Sequence, residues 1–338
     1  MASSSRTTEK VRLGASRSLM RLILASFALT LAQAGMAADP YPLKGRVVKI
    51  VVPTGAGSAF DLLARTYGKV LGEDGINTIV ENKPGAEGVP GVMSALASPA
   101  DGYTMLLVSN SITALNPVLI PDLPYDPLKD FEPLVATSQA GLVGSLGAST
   151  TFKSAREFVQ AARANPGKYT CAHMTSNTRM ACDYFQASAG IQLLNVPYKT
   201  AAAGVLALAA GEVDVLFLDT SSFLSHWKSG RVRPIGYATA KRMPSQPEIP
   251  TFSEEGIPDF LMNAWYAFYF KKGTPRESVA AMSAALRKAA DSATVKSALA
   301  TFVHEPLNLE REQITEANRL EIQKWKRLIR EHHIELAR

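Results

Sequence analysis

The chain has 338 residues, with 36 basic and 30 acidic side chains, 46% hydrophobic residues and two cysteines. Its formal charge of +6 belongs partly to its start: positions 1–37 hold Arg6, Lys10, Arg12, Arg17 and Arg21 against the single acid Glu9. Without that stretch the count falls to 31 basic and 29 acidic residues, so charge makes no case for a nucleic-acid partner.

Positions 1–37 read as a signal peptide. A basic start leads into the apolar run 22–31, too short to span a bilayer, and Ala34-Gly35-Met36-Ala37-Ala38 supplies small residues for cleavage after Ala37. The residues from 38 onward suffice for two domains and contain no uninterrupted apolar run of about 18 residues, so a soluble, periplasmic protein is expected. Cys171 falls at the end of a predicted strand and Cys182 in the helix after it. Export makes a disulfide available, and the bridge is favoured over two buried thiols.

The mature chain opens on residues 47–52, rich in β-branched apolar residues, which predict a strand buried on both faces as in a parallel sheet. A turn over 53–57 follows, and Ser58-x-x-Asp61 is the start signal of a helix over 60–71. The free N–H groups of such a junction, with the helix dipole behind them, form a natural anion site. A strand over 76–81, a loop over 82–88 and a helix over 89–97 come next. The strand over 103–108 ends in the polar Ser109-Asn110-Ser111. Residues 117–133 read as irregular, with five prolines, and 134–137 and 142–146 as two short strands.

A second unit begins at Ser154-x-x-Glu157, the cap of a helix that Asn165-Pro166-Gly167 ends. A strand over 169–172 runs into the polar loop His173-Met174-Thr175-Ser176-Asn177-Thr178, then a helix around 180–189. A strand over 193–196, the segment Pro197-Tyr198-Lys199-Thr200 and an alanine-rich helix to Ala210 follow. The strand over 213–218 ends at Asp219-Thr220-Ser221, and another covers 233–238. This alternation predicts an α/β fold with mostly parallel sheets. Residues 264–271 read as a long aromatic strand. Helices over 275–291, 294–303 and 310–333 then run without another predicted strand, and are expected to cover one domain.

An ordered set of short segments in this chain resembles the periplasmic solute receptors of tripartite tricarboxylate transporters, the Bug family. The set includes Val51-Val52-Pro53 with Gly57 and Asp61-Leu62-Leu63-Ala64-Arg65, Glu81-Asn82-Lys83-Pro84-Gly85-Ala86, Asp101-Gly102-Tyr103-Thr104 and Leu123-Pro124-Tyr125-Asp126-Pro127. It continues through Asn165-Pro166-Gly167-Lys168, Val196-Pro197-Tyr198-Lys199, Gly211-Glu212-Val213-Asp214 and Ala264-Trp265-Tyr266. The resemblance implies a two-lobed Venus-flytrap fold, with 38–138 and 263–338 as one lobe and 139–262 as the other. It implies a monomer that binds a small carboxylate without cofactor or metal and delivers it to an inner-membrane permease. It also implies the ligand-binding positions: Gly57, Ser58, Ala59, Phe60 and Asp61 in the first loop, Ser109 and Asn110 in the next, Thr175, Ser176, Asn177 and Thr178 across the cleft, with Tyr198 and Asp219. Two of these loops depart from the family pattern. Phe60 stands where a small hydroxyl is usual, which hints at a flatter or more apolar solute. The loop 175–178 runs into Arg179-Met180-Ala181-Cys182 where a glycine- and serine-rich loop with His-Leu is usual.

Other residues have plainer readings. Ser58 and Asp61 are helix caps in any case, His173 is structural, and Trp265 and Tyr266 pack in the core. Arg179 is a surface residue first and a carboxylate partner second. The chain lacks G-x-S-x-G, a phosphate loop, G-x-G-x-x-G and paired metal-ligand spacings, so a secreted hydrolase is a poor alternative. A ligand sensor for a signalling system would use the same binding fold.

Overall fold

The computed structural model describes residues 41–42, 45–331 and 334. The proposed signal peptide lies outside the described residues. The chain divides into two units, Met1–Leu43 and Lys44–Arg338. Of the first, only Tyr41 and Pro42, joined by a cis peptide bond, are described.

In the second unit, ten strands form one sheet in the order β2-β1-β3-β9-β4-β7-β5-β6, with β8 and β10 both paired to β4. One end holds β1 (Val48–Val52), β2 (Thr78–Asn82) and β3 (Thr104–Ser109), all parallel. The other holds β5 (Thr170–His173), β6 (Leu194–Pro197) and β7 (Val215–Asp219), again parallel. Between them β4 (Phe131–Gly147) and β9 (Asn263–Lys271) run antiparallel to their neighbours, as do β8 (Val232–Tyr237) and β10 (Glu305–Leu309). Val48, Ile50, Val51 and Val52 are fully buried, as expected of a strand covered on both faces.

Helices α1 (Ala59–Glu73) and α2 (Val89–Ala97) serve the first end, and α3 (Ala155–Ala164), α4 (Ser176–Ala189), α5 (Ala201–Ala210) and α6 (Thr220–Lys228) the second. Then come α7 (Arg276–Ala290), α8 (Ala293–Phe302) and α9 (Arg311–Glu331). The cap signals at Ser58 and Ser154 act as the sequence implies, each side chain accepting a hydrogen bond from an N–H in the first turn of α1 and α3, and Asp219, expected at the ligand, does the same for α6. The disulfide is formed: Cys171 and Cys182 tie β5 to α4, with a Cα separation of 6.0 Å.

Three elements differ from the sequence-based expectation. The two short strands over 134–146 are parts of β4, 17 residues long. Its first part pairs with β9 and its second with β7 and β8, so hydrogen bonding carries the strand through the polar Ser138-Gln139 pair. Pro133, which has no N–H for the ladder, sits at a register shift. Strand β10 was not expected, because Glu305-Pro306-Leu307-Asn308-Leu309 is short, half-polar and contains proline; it lies on an edge, paired to β4. Finally, α9 does not stay on one hydrophobic cluster. Ile314 packs with Tyr125, Phe131 and Tyr269, whereas Trp325 and Leu328 join Phe158, Phe185, Phe217 and Phe260. The indole of Trp325 lies edge-on to Tyr184 at 5.7 Å.

Candidate ligand site

The β1–α1 corner is tightly wired. Ser58 Oγ accepts from the Asp61 N–H at 3.2 Å and lies 2.7 Å from Thr54 Oγ1. Asp61 is almost fully buried and accepts from the Gly57 N–H (2.9 Å), Arg65 Nε (3.0 Å) and Asn82 Nδ2 (3.0 Å), with the Arg65 Nη2 2.9 Å from its second oxygen. Burial pushes this carboxyl up, but the bonds from Arg65, Gly57 and Asn82 outweigh it and hold it below the ordinary range. Asp61 therefore organises the corner from beneath. The Gly57 N–H is committed to it, and the N–H groups of Ala59 and Phe60, the first two of α1, are the ones such a corner can offer an anion. The Phe60 ring stands edge-on to Tyr266 at 4.8 Å, and Tyr266 stacks on His304 at 4.8 Å.

At the end of β3, Ser109 is buried opposite Tyr266 in the ladder. Asn110 donates to the Asn263 carbonyl (3.0 Å) and to Glu321 Oε1 (2.7 Å), and accepts from the Trp265 N–H (3.2 Å). Both its donors thus serve the protein, joining β3, β9 and α9. Glu321 also accepts from the Trp265 indole at 3.0 Å, and burial pushes its carboxyl up.

Across the molecule, Thr175 and Thr178 form a capping box at the start of α4, each side chain accepting from the other's N–H. Ser176 is different: its N–H and its hydroxyl both donate to Glu87 Oε1, at 3.1 Å each. Asn177 lines a small cavity of about 20 Å³ together with Asn110, Ser111, Asn263 and Trp325, room for a single water. Thr175, Ser176 and Tyr198 line a second cavity, of about 300 Å³, with Glu87, His173, Arg179 and Asp183. Arg179 is held by Asp183 at 2.8 Å. Burial, helped by Arg179, pushes the His173 pKa down.

Asp219 caps α6, accepting from the Ser222 N–H (3.2 Å) and hydroxyl (3.0 Å), and pairs with Leu142 in the β4–β7 ladder. Its charge is felt at Tyr266 and His304. Gly57–Asp61 and Asp219 line neither cavity, whereas Asn110 meets Asn177 in one and Thr175, Ser176 and Tyr198 meet in the other. Sequence reasoning passed over Glu87 and His304. For Glu87 a signal existed, a bulky residue flanked closely by Gly85 and Gly88; for His304, whose Nε2 is buried without a hydrogen-bond partner, there was none. Among the described residues no group of three or more His, Cys, Asp or Glu could hold a metal ion, and no helix is long and apolar enough to cross a membrane.

Two strand–helix corners stand at the ends of parallel strands on one sheet whose middle strands serve both ends. The family model described as the tripartite tricarboxylate transporter family receptor matches residues 62–334. The chain belongs to this family. It is therefore a periplasmic solute-binding receptor, with a binding rather than a catalytic role, on a mixed α/β periplasmic-binding-protein fold. It is 30% identical over 321 residues to a UPF0065 protein from the tcbD-tcbE intergenic region of Pseudomonas sp. strain P51, covering 93% of this chain and 95% of that one. It is 29% identical over 320 residues to BugT of Bordetella pertussis, covering 92% and 98%. Among solved structures, an R. palustris protein with adipate superposes with a TM-score of 0.77 at 26% identity, covering 87% of this chain and 99% of that one.

Proposed function

We propose that this receptor grips a small carboxylate in the cleft between two lobes, 38–138 with 263–338 and 139–262, and delivers it to an inner-membrane permease of the tripartite tricarboxylate type. Residues 1–37 serve as the export signal and are removed. The solute's carboxylate is received by the N–H groups of Ala59 and Phe60 at the start of α1, with the loop 175–178 and Tyr198 closing from the other side. The observation that carries this reading is the pairing of the β1–α1 and β5–α4 corners, each a capped helix start at the C-terminal end of a parallel strand, where α/β sheets bind ligands. Adipate in the R. palustris relative supports the ligand class. Contacts to both lobes favour the closed form, and only that difference in affinity moves the population.

The test is a thermal-shift screen of the purified protein against mono- and dicarboxylates, amino acids, pyridine carboxylates and uncharged analogues. A ligand that binds only the folded state raises the melting temperature. A rise with acids that disappears with their amides is the expected result. A rise with uncharged compounds alone would overturn the carboxylate reading.

A further inference from the structure

The cavity of about 300 Å³ beside α4 holds a residue that the family's carboxylate-binding role does not account for. Ser176 is the first residue of a 14-residue helix, and its N–H is among the donors a helix start offers an anion. That N–H and the Ser176 hydroxyl are both taken by Glu87 Oε1. The contact spans 89 positions of sequence, from the loop after β2 to the start of α4.

The backbone delivers Glu87 to this place in a costly conformation. Ala86 and Glu87 have φ of +41° and +53°, between Gly85 at +105° and Gly88 at +82°. A non-glycine residue in the left-handed region crowds its Cβ against the following carbonyl oxygen and is held there only by its surroundings. The loop is fixed at both of its sides. Asn116 Nδ2 donates to the Glu87 carbonyl at 2.9 Å and reaches the Tyr125 hydroxyl at 3.1 Å. Gly88 sits so close to Pro53 and Ile112 that a Cβ there would lie 3.1 Å from Pro53 Cβ and 2.7 Å from Ile112 Cδ1. Glu87 is thus held beside the β1–α1 turn and reaches the opposite corner.

We propose that Glu87 is a specificity-determining residue: its carboxylate occupies the place at α4 that a second ligand carboxylate would take, so the receptor selects small acids whose far end is an ammonium or other hydrogen-bond donor. This rests on the carboxylate reading above. A tethered carboxylate loses no translational freedom on docking, whereas a free one does, so the solute does not displace Glu87 from Ser176. The cavity's charges point the same way. Glu87 and Asp183 bring two carboxylates against one guanidinium, that of Arg179, whose Nε donates to Asp183 at 2.8 Å, and burial pushes the His173 pKa down. A second carboxylate placed there meets like charge; an ammonium meets a partner. Leu119, Met174 and Met180 supply apolar wall for a methylene chain.

The experiment is calorimetric titration of the purified protein with adipate, 6-aminohexanoate and hexylamine, repeated on Glu87→Gln and Glu87→Gly. Glutamine keeps an acceptor for Ser176 and removes the charge; glycine suits the positive φ and removes the side chain, so neither adds strain to the loop. The expected result is 6-aminohexanoate bound at least tenfold tighter than adipate, with that preference reduced at least tenfold in both variants. Adipate bound as well as 6-aminohexanoate by the native protein, or a preference unchanged in the variants, would overturn the assignment while leaving the carboxylate reading intact. Binding of hexylamine alone, weakened in both variants, would support Glu87 and overturn the carboxylate reading. No binding of any of the three at millimolar concentration would overturn both.

Discussion

Replacing Asp61 by asparagine isolates the wiring of the β1–α1 corner. The side chain keeps its shape but loses its charge and one acceptor. The aspartate faces donors on both oxygens: the Gly57 N–H and Arg65 Nε on one, Asn82 Nδ2 and Arg65 Nη2 on the other. Whichever way the asparagine amide turns, its NH₂ confronts two of these donors. Each buried group left without its partner costs about 1–3 kcal/mol, and Arg65 is half-exposed and recovers part of its share from water, so the expected loss is about 2–4 kcal/mol. In a chain of this size that lowers the melting temperature by roughly 3–6 °C. The pH dependence has a definite sign. The folded-state pKa of Asp61 is depressed, so its contribution is full above the unfolded value, near 3.9, and is lost as pH falls through the folded value. Thermal or urea unfolding of both proteins across pH checks this. The gap between native and Asp61→Asn protein is to be widest at neutral pH and to narrow in acid. Equal midpoints at neutral pH, or a gap that persists undiminished in strong acid, would refute the account of this corner.

His304 is buried with its Nε2 unpartnered, and burial pushes its pKa down to about 4. The unfolded chain takes up a proton near pH 6.5 while the folded one resists, so stability falls between about pH 6.5 and 4, by up to about 3 kcal/mol; His304→Gln is to flatten that part of a stability–pH curve. Cys171 and Cys182 close a short loop, with a sequence separation of 11. Replacing both by alanine is to lower unfolding stability by about 2–3 kcal/mol, with addition of reductant to the native protein producing a similar shift in urea midpoint. A Cβ on Gly147 would lie 2.3 Å from the Leu208 carbonyl oxygen, a backbone atom, so Gly147→Ala is to cost about 1–3 kcal/mol by forcing β4 away from α5, seen as a lowered melting temperature.

The elements visible in the sequence were those whose local and tertiary preferences agree. The apolar run of β1 is buried because it lies inside a parallel sheet, and Ser58 caps α1 because the hydroxyl meets an N–H three residues on. The elements that were not visible depend on partners. β4 is continuous because β9 holds one part and β7 and β8 the other, so its polar middle breaks the apolar pattern without breaking the ladder. β10 exists as an edge against β4, despite Pro306. The split allegiance of α9 follows from length: its 21 residues carry Ile314 and Trp325 far enough apart to enter different clusters.

The same distinction governs the site. Sequence position points to the strand-end loops, because ligand sites of α/β sheets lie there whatever the side chains are. It could not say which of those side chains are already engaged. Asn110 has the ideal composition for a ligand contact, yet its amide bonds Asn263 and Glu321, which lie 153 and 211 positions away. Glu87 is the converse case. Its glycine-flanked loop is a local sign of an unusual backbone, but what the side chain does there depends on Ser176, on another strand–helix corner. A helix start that attracts an anion attracts one from the protein as readily as one from solution. The family motif therefore predicts where a carboxylate sits more reliably than whose carboxylate it is, and in this chain the β5–α4 corner already has its own.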